Sequence, residues 1–390
     1  MSLLTEHRRP LHRFERQGKN MRIGILVTMM NNFGKKGMYH SQEAGIAGAL
    51  SRLGHSVVIY KYLPRGEPLP EREQKGNVVV EYRWARAVGI NGLIATACLD
   101  CGLDALFMFA DTQLCVPAVY RWCRKHSVTF LPYIGVVKSH SPSRIRAFLI
   151  NTLFRRNLTV YRNCACLAKN PAVKAALEGL GVTRVVFAPV GINPEALYSR
   201  FREASPAALR EAYGYASDDQ VILFVGRLEP EKRPLELLTL FRQLHAQDSR
   251  FRLLLVGTGS LYPGVIRERD CLGLTDSVKI LESVPNARIW ELFRLCSCFV
   301  NLNRSEIFGM ALLEAMYYET KVVAWHAPGP DCIIENGVSG YLVSTDREFL
   351  AAVLEGSAEV AQAAHRRIAE GFTWGKTARL IEEAAALSHE

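Results

Sequence analysis

From residue 21 onward, short apolar runs alternate with stretches whose apolar positions recur every three to four residues. Residues 23–28, 57–60, 78–82, 105–109, 128–134 and 185–189 read as strands, and their continuous apolar character predicts burial on both faces. Residues 42–53, 116–125 and 171–180 read as helices. Asn170 followed by Pro171 is an N-cap with proline in the first turn, and Gly54 and Gly181 are helix stops.

The pattern then restarts. A charged helical bridge over 199–217 leads to strand-like runs at 221–225, 251–256, 278–281, 298–301 and 321–324. Helical periodicity occupies 235–245, 286–295, 309–318, 346–354 and the tail from 358. Strands alternating with helices predict an α/β protein of two doubly wound, Rossmann-like parallel-sheet units, 21–190 and 191–372, after a basic extension over 1–20. Two such units face each other across a cleft. Ligands of open α/β sheets bind outside the carboxyl ends of the strands, so the loops there hold the chemistry.

Length and composition narrow the class. With 390 residues, of which 49% are hydrophobic and 22% charged, the chain has the make-up of a folded protein of two to three domains. No run approaches ~18 apolar residues, and the first 20 lack an apolar signal core, so the expected location is cytoplasmic. Ten cysteines without a disulfide framework fit a reducing compartment. Cys98 and Cys101, Cys164 and Cys166, and Cys296 and Cys298 read as buried structural thiols. The net charge of +10 is unevenly spread. Residues 1–190 hold 27 Lys and Arg against 11 Asp and Glu, and 191–390 hold 21 against 27. The first half therefore faces something anionic.

Two loops carry candidate chemistry. After the strand at 221–225 come Gly226, Arg227 and Lys232. An arginine fork and a lysine point charge five residues apart could clamp a diphosphate that Gly226 lets approach. A solvated charged loop is the alternative. After the strand at 298–301 come Glu306, Phe308, Gly309, Met310 and Glu314. Glu314 lies in an apolar helical segment, where a carboxylate needs hydrogen bonds that sugar hydroxyls could supply. The N–H groups of Phe308 to Met310 open that helix and would attract phosphate. The alternative is one exposed Glu and one packed against a cation.

In this order and spacing, the two loops resemble the donor site of family 4 retaining glycosyltransferases of the GT-B fold. Residues 253–259 resemble that family's strand and glycine turn. Residues 327–343 resemble its glycine turn, acidic helix and following strand. Residues 189–193 resemble the interdomain crossing, and 372–390 the last helix, which returns to the first domain. The resemblance implies that Arg227 and Lys232 hold the donor diphosphate, that Glu314 binds ribose, and that Glu306 contacts the donor sugar. It also implies that Phe308, Gly309 and Met310 offer backbone N–H groups and that Val284 lies near the base. Gly34, Lys35, Lys36 and Gly37 would line the acceptor and phosphate loop. There are departures. Ile307 stands where the family has Gly, Gly135 where it often has a His near the donor sugar, and 317–320 replace a small-residue turn with Gly. No catalytic His is assigned, and His140 reads as an exposed loop residue. No D-x-D, H-E-x-x-H or paired C-x-x-C occurs, so no metal or other cofactor is expected.

The stretch from Lys138 to Arg162 holds Lys138, Arg144, Arg146, Arg155 and Arg156 and no acid. Ile145, Phe148, Leu149, Thr152 and Leu153 share one face of a helix there. A basic amphipathic helix reads as an anionic-membrane element, so the expected partners are a nucleotide sugar, a glycan or lipid-linked acceptor and the inner membrane face. A helix packed on the sheet with a solvated basic face is the alternative. Competing functions are a GT-B-type sugar-nucleotide epimerase, a degenerate partner subunit and a nucleic-acid binder. The acidic second half and the lack of a nucleic-acid motif speak against the last.

Overall fold

The computed structural model describes residues 20–30, 41–89, 91–138, 144–197, 199–356 and 358–386, with the Arg146 side chain outside this set. Gly34, Lys35, Lys36, Gly37 and His140 therefore lie outside the described residues.

The first unit contains β1 (Arg22–Val27), α1 (Gln42–Arg52), β2 (Ser56–Pro64), β3 (Glu73–Lys75), β4 (Val78–Val88), β5 (Asn91–Leu93), β6 (Ala105–Phe109), α2 (Val116–Lys125), β7 (Thr129–Ile134), α3 (Arg144–Tyr161), β8 (Cys166–Ala168), α4 (Pro171–Gly179) and β9 (Val185–Phe187). Its sheet order is β3-β4-β2-β1-β6-β7-β8-β9, with β5 on β4. The pairings are parallel except those of β3 and β5 with β4. β2 and β4 run well past their apolar cores into mixed, partly exposed sequence. Three-residue β3, β5 and β8 are too short to leave a pattern and were not expected.

The second unit follows a bridge that is helical only in α5 (Pro206–Ala212), after a 3-10 turn at Phe201–Glu203. It contains β10 (Gln220–Val225), α6 (Pro234–Gln247), β11 (Phe251–Val256), α7 (Tyr262–Cys271), β12 (Val278–Leu281), α8 (Ile289–Leu295), β13 (Cys298–Asn301), α9 (Met310–Tyr317), β14 (Val322–Trp325), α10 (Pro328–Ile333), β15 (Tyr341–Val343), α11 (Asp346–Leu354) and α12 (Ala358–Gly371). Its six strands are all parallel in the order β12-β11-β10-β13-β14-β15. The core strands have the composition that burial on both faces requires: Val221, Ile222, Leu223, Leu253, Leu254 and Leu255 are all buried.

The last helix, α13 (Trp374–Ala386), packs on α1 and β7 of the first unit. The chain therefore crosses between units twice, and the crossings run side by side. The Ile192 N–H donates to the Phe372 carbonyl at 2.9 Å, and the Trp374 N–H donates to the Ile192 carbonyl at 2.9 Å. Gly191 is required there, since a Cβ would sit 2.4 Å from the Thr373 carbonyl carbon. Gly45 on α1 makes room for the Trp374 indole in the same way.

Two expectations need correction, those for Cys98 with Cys101 and for Arg156. Cys98 and Cys101 are exposed, because the segment around them is a 3-10 turn and loop outside the core; Cys164, Cys166, Cys296 and Cys298 are buried. In α3 the packed face is Phe154, Leu158 and Tyr161, and the face read from the sequence points outward at its start, with Ile145, Phe148 and Leu149 exposed by 76%, 69% and 55%. Arg156 is not a free surface cation: it donates to the Leu114 carbonyl at 2.6 Å and to Asn157 Oδ1. Glu319, in the turn where the resembled family has Gly, takes φ +59, the left-handed conformation that Gly would adopt without strain.

Candidate active site

In the second sheet the strand order reverses direction at β10, with β11 and β12 on one side and β13 to β15 on the other. The loops leaving β10 and β13 lie at the carboxyl ends of these neighbouring strands, where open α/β sheets bind their ligands. Both charged loops read from the sequence sit at this point, and they meet. Lys232 Nζ lies 2.5 Å from Glu306 Oε2, with the two side chains 24% and 13% exposed. Asn301 and Asn303 donate to the same oxygen at 3.4 and 3.3 Å, which fixes the carboxylate against the lysine.

The β10 loop is held from beneath by a glycine turn. The Leu228 N–H donates to the Thr258 carbonyl at 2.8 Å, and Ser260 donates twice to Glu229. Those two bonds lower the Glu229 pKa. A Cβ at Gly257, where φ is +148, would come within 1.9 Å of the Gly226 carbonyl oxygen. A Cβ on Gly226 itself would make only ordinary contact, with Phe224 Cζ at 3.8 Å. Arg227 is not joined to Lys232 and Glu306: it is 72% exposed and pairs with Glu231 at 3.1 Å. Arg233, at the end of this loop, takes φ +56, which stores backbone strain beside the lysine.

The β13 loop enters α9 through Gly309, whose φ of +98 turns the chain beneath Glu306. No side chain caps this helix start at Gly309 and Met310. Phe308 points away from it: the ring is buried and packs on Phe372 at 6.0 Å, and only its backbone belongs to the site. Gly329 of α10 fits against that backbone, and its N–H donates to the Glu306 carbonyl at 2.8 Å. Glu314 is buried inside α9, and loss of hydration raises its pKa from the ordinary 4.5 to about 8. Val284 follows β12 at the same end of the sheet, half-buried against the core.

The first unit reaches the β13 loop through Asn170. Asn170, fully buried, caps α4 through Val173 and also donates to the Ile307 carbonyl of the β13 loop at 2.8 Å. Lys169 and Asp111 lie beside it and were not singled out from the sequence. The strand end that holds Lys169 is three residues long, and a lone lysine before an N-cap gives no spacing to read. Lys138, Arg144 and Arg155 are exposed on the first unit and stand apart from the Lys232–Glu306 pair in the chain's described contacts. Among the described residues no group of three or more His, Cys, Asp or Glu is arranged to hold a metal ion, and no helix is long and apolar enough to cross a membrane.

Residues 207–362 match the family described as glycosyl transferases group 1. The D-inositol 3-phosphate glycosyltransferase of Geodermatophilus obscurus is 31% identical over 212 residues, 51% of this chain and 46% of that protein. D-inositol 3-phosphate glycosyltransferase 2 of Catenulispora acidiphila is 33% identical over 162 residues, 39% of this chain and 38% of that protein. The chain is thus matched to less than half the length of these curated relatives. Among solved structures, the sucrose-phosphate synthase of Thermosynechococcus elongatus superposes with a TM-score of 0.75 at 14% identity, covering 95% of this chain and 99% of that one. HepE of Anabaena, in complex with UDP-glucose, gives 0.71 at 18%, covering 95% and 100%. The fold is GT-B, and the resemblance to family 4 glycosyltransferases holds.

Proposed function

We propose that the protein is a group 1 glycosyltransferase that moves a hexosyl group from a nucleotide-diphosphate sugar, with retention, to a glycan or lipid-linked acceptor in cell-surface polysaccharide or glycolipid synthesis. The observation that carries this reading is the Lys232–Glu306 pair at the strand-order reversal, beside the uncapped start of α9. Departure of a nucleoside diphosphate from a sugar carbon needs fixed positive charge at the diphosphate more than covalent help. Lys232 supplies that charge. Arg227, on the same loop, joins it by turning from Glu231. The α9 N–H groups of Gly309 and Met310 face a phosphate or sugar oxygen, and Glu314 accepts from the ribose hydroxyls. Glu306 contacts the donor sugar on the face where positive charge develops. An epimerase would use the same donor cradle without an acceptor, so product analysis separates the two.

The relatives' printed substrate makes a phosphorylated polyol one acceptor to assay. The outward apolar start of α3, with Arg144 beside Ile145, Phe148 and Leu149, supports docking on an anionic membrane. Flotation with anionic vesicles tests that part, and an unchanged result after changing Phe148 and Leu149 to Ser would end it. The main test is thermal stabilisation by UDP-, GDP- and ADP-sugars, where a ligand at 100 times its Kd adds about 2.7 kcal/mol. Product NMR then gives the anomeric configuration. Unchanged transfer in both Glu306→Ala and Arg227→Ala would overturn the assignment.

A further inference from the structure

The first unit places a lysine beside the β13 loop. Lys169 follows β8, half-buried, with its stem beside Gly135 at the exit of β7. A Cβ at Gly135 would lie 2.7 Å from Lys169 Cδ and 3.2 Å from Ile307 Cγ2. The space a side chain at 135 would need is therefore filled by Lys169 from one unit and Ile307 from the other. Ile307 directly follows Glu306. The Lys169 ammonium lies over the rings of Phe109 and Tyr133, at 5.4 and 5.0 Å from their centres.

This cation has no ion-pair partner among the described residues. Asp111 is the carboxylate that influences it, but Asp111 Oδ1 accepts from the Gly135 and Val136 N–H groups at 2.6 and 3.0 Å. Asp111 is further pinned at φ +29 by the Tyr161 hydroxyl on its carbonyl. Burial disfavours the ammonium, and Asp111 only partly offsets this. A half-buried ammonium lying over two aromatic rings, with its nearby carboxylate hydrogen-bonded to backbone N–H groups, is arranged for an incoming anion. Lys232 by contrast already has Glu306. The neighbouring Asn170–Ile307 hydrogen bond ties the strand end that bears Lys169 to the donor loop.

We propose that Lys169 forms an anion subsite on the first unit's side of the cleft, binding a phosphate group of the acceptor beside the donor sugar. A compact ammonium recognises phosphate as a point charge and needs no planar fork. The surrounding sequence, with no acid between Asp111 and Glu178, keeps the approach positive. This inference rests on the transferase reading for its place in the reaction, but phosphate binding by Lys169 is measurable without it.

The test uses the full chain carrying Lys232→Met, which removes the donor-loop cation, and compares it with the same chain carrying Lys169→Met or Lys169→Arg in addition. Inorganic phosphate and D-inositol 3-phosphate are the probes, and myo-inositol is the neutral control. Thermal shift and calorimetry should show that Lys169→Met weakens both anionic probes by about tenfold or more, that Lys169→Arg keeps part of the binding, and that myo-inositol is unaffected. In the chain without Lys232→Met, Lys169→Met should leave UDP affinity within about twofold. Equal phosphate binding with and without Lys169 would overturn the proposal, as would loss of UDP affinity on the same scale. Failure of every nucleotide sugar to bind would overturn the transferase reading alone. Vesicles of phosphatidylinositol set beside D-inositol 3-phosphate distinguish a lipid-borne phosphate from a soluble one.

Discussion

Replacing Glu306 by Gln removes the counter-charge that occupies Lys232 while keeping the side chain's size. The two groups are 2.5 Å apart and mostly shielded from water. Unit charges about 4 Å apart attract by about 4 kcal/mol at an effective dielectric constant of 20. Desolvation and side-chain ordering cancel much of that, leaving roughly 1–2 kcal/mol for a pair neither fully exposed nor fully buried. A diphosphate must take Lys232 from Glu306 or share it, so that sum is spent each time the donor binds. Glu306→Gln should therefore bind UDP roughly 5- to 30-fold tighter than the unaltered protein, and transfer sugar more slowly, because the carboxylate beside the donor sugar is lost. Calorimetry with UDP and turnover with the identified donor measure the two halves. The gain should vanish in a Lys232→Met background, which closes the double-mutant cycle. Weaker UDP binding by Glu306→Gln, or a gain that survives without Lys232, would refute the argument.

Further outcomes follow from the same geometry. The Glu314 carboxyl keeps its proton to about pH 8 in the folded chain but only to about 4.5 when exposed, so stability falls as pH rises between those values. Glu314→Gln should flatten that fall in pH-dependent denaturation curves. Ribose hydroxyls that donate to the ionised form should release a proton, so nucleotide affinity should rise from pH 6 to 8, as calorimetry in buffers of different ionisation enthalpy would report. Gly257→Ala places a Cβ against the Gly226 carbonyl and should cost UDP affinity tenfold or more by shifting the loop that carries Lys232. Trp374→Ala empties the groove at Gly45 and should destabilise the chain by about 3–5 kcal/mol, read as a lowered denaturation midpoint.

The second unit was more legible than the first for a physical reason. Its strands are buried on both faces, so runs such as Phe251–Val256 announce themselves by continuous apolar composition. The loops at 226–234 and 303–310 carry charge and glycine at spacings that few other roles demand. What the spacing could not state is that Lys232 and Glu306 touch, because that depends on β10 and β13 being neighbours in space. Arg227 looked equivalent to Lys232, yet it pairs with Glu231 four residues on. In α3 both faces are apolar, so periodicity alone could not say which one packs and which points outward. Lys169 escaped notice because its place beside Ile307 depends on Gly135, a missing side chain at the exit of β7.

The return of α13 to the first unit has a consequence for how the protein is made. The groove on α1 where Trp374 sits at Gly45, and the contact between His55 and Glu382, are filled by a segment translated after the whole second unit. At about 5–20 residues per second, residues 190 to 374 take roughly ten to forty seconds to emerge. During that interval the domain synthesised first exposes an apolar seam that its own sequence cannot yet cover. A nascent chain stalled or truncated before Trp374 would carry a finished second domain and an unfinished first one, so holding chaperones should favour these intermediates over the completed protein.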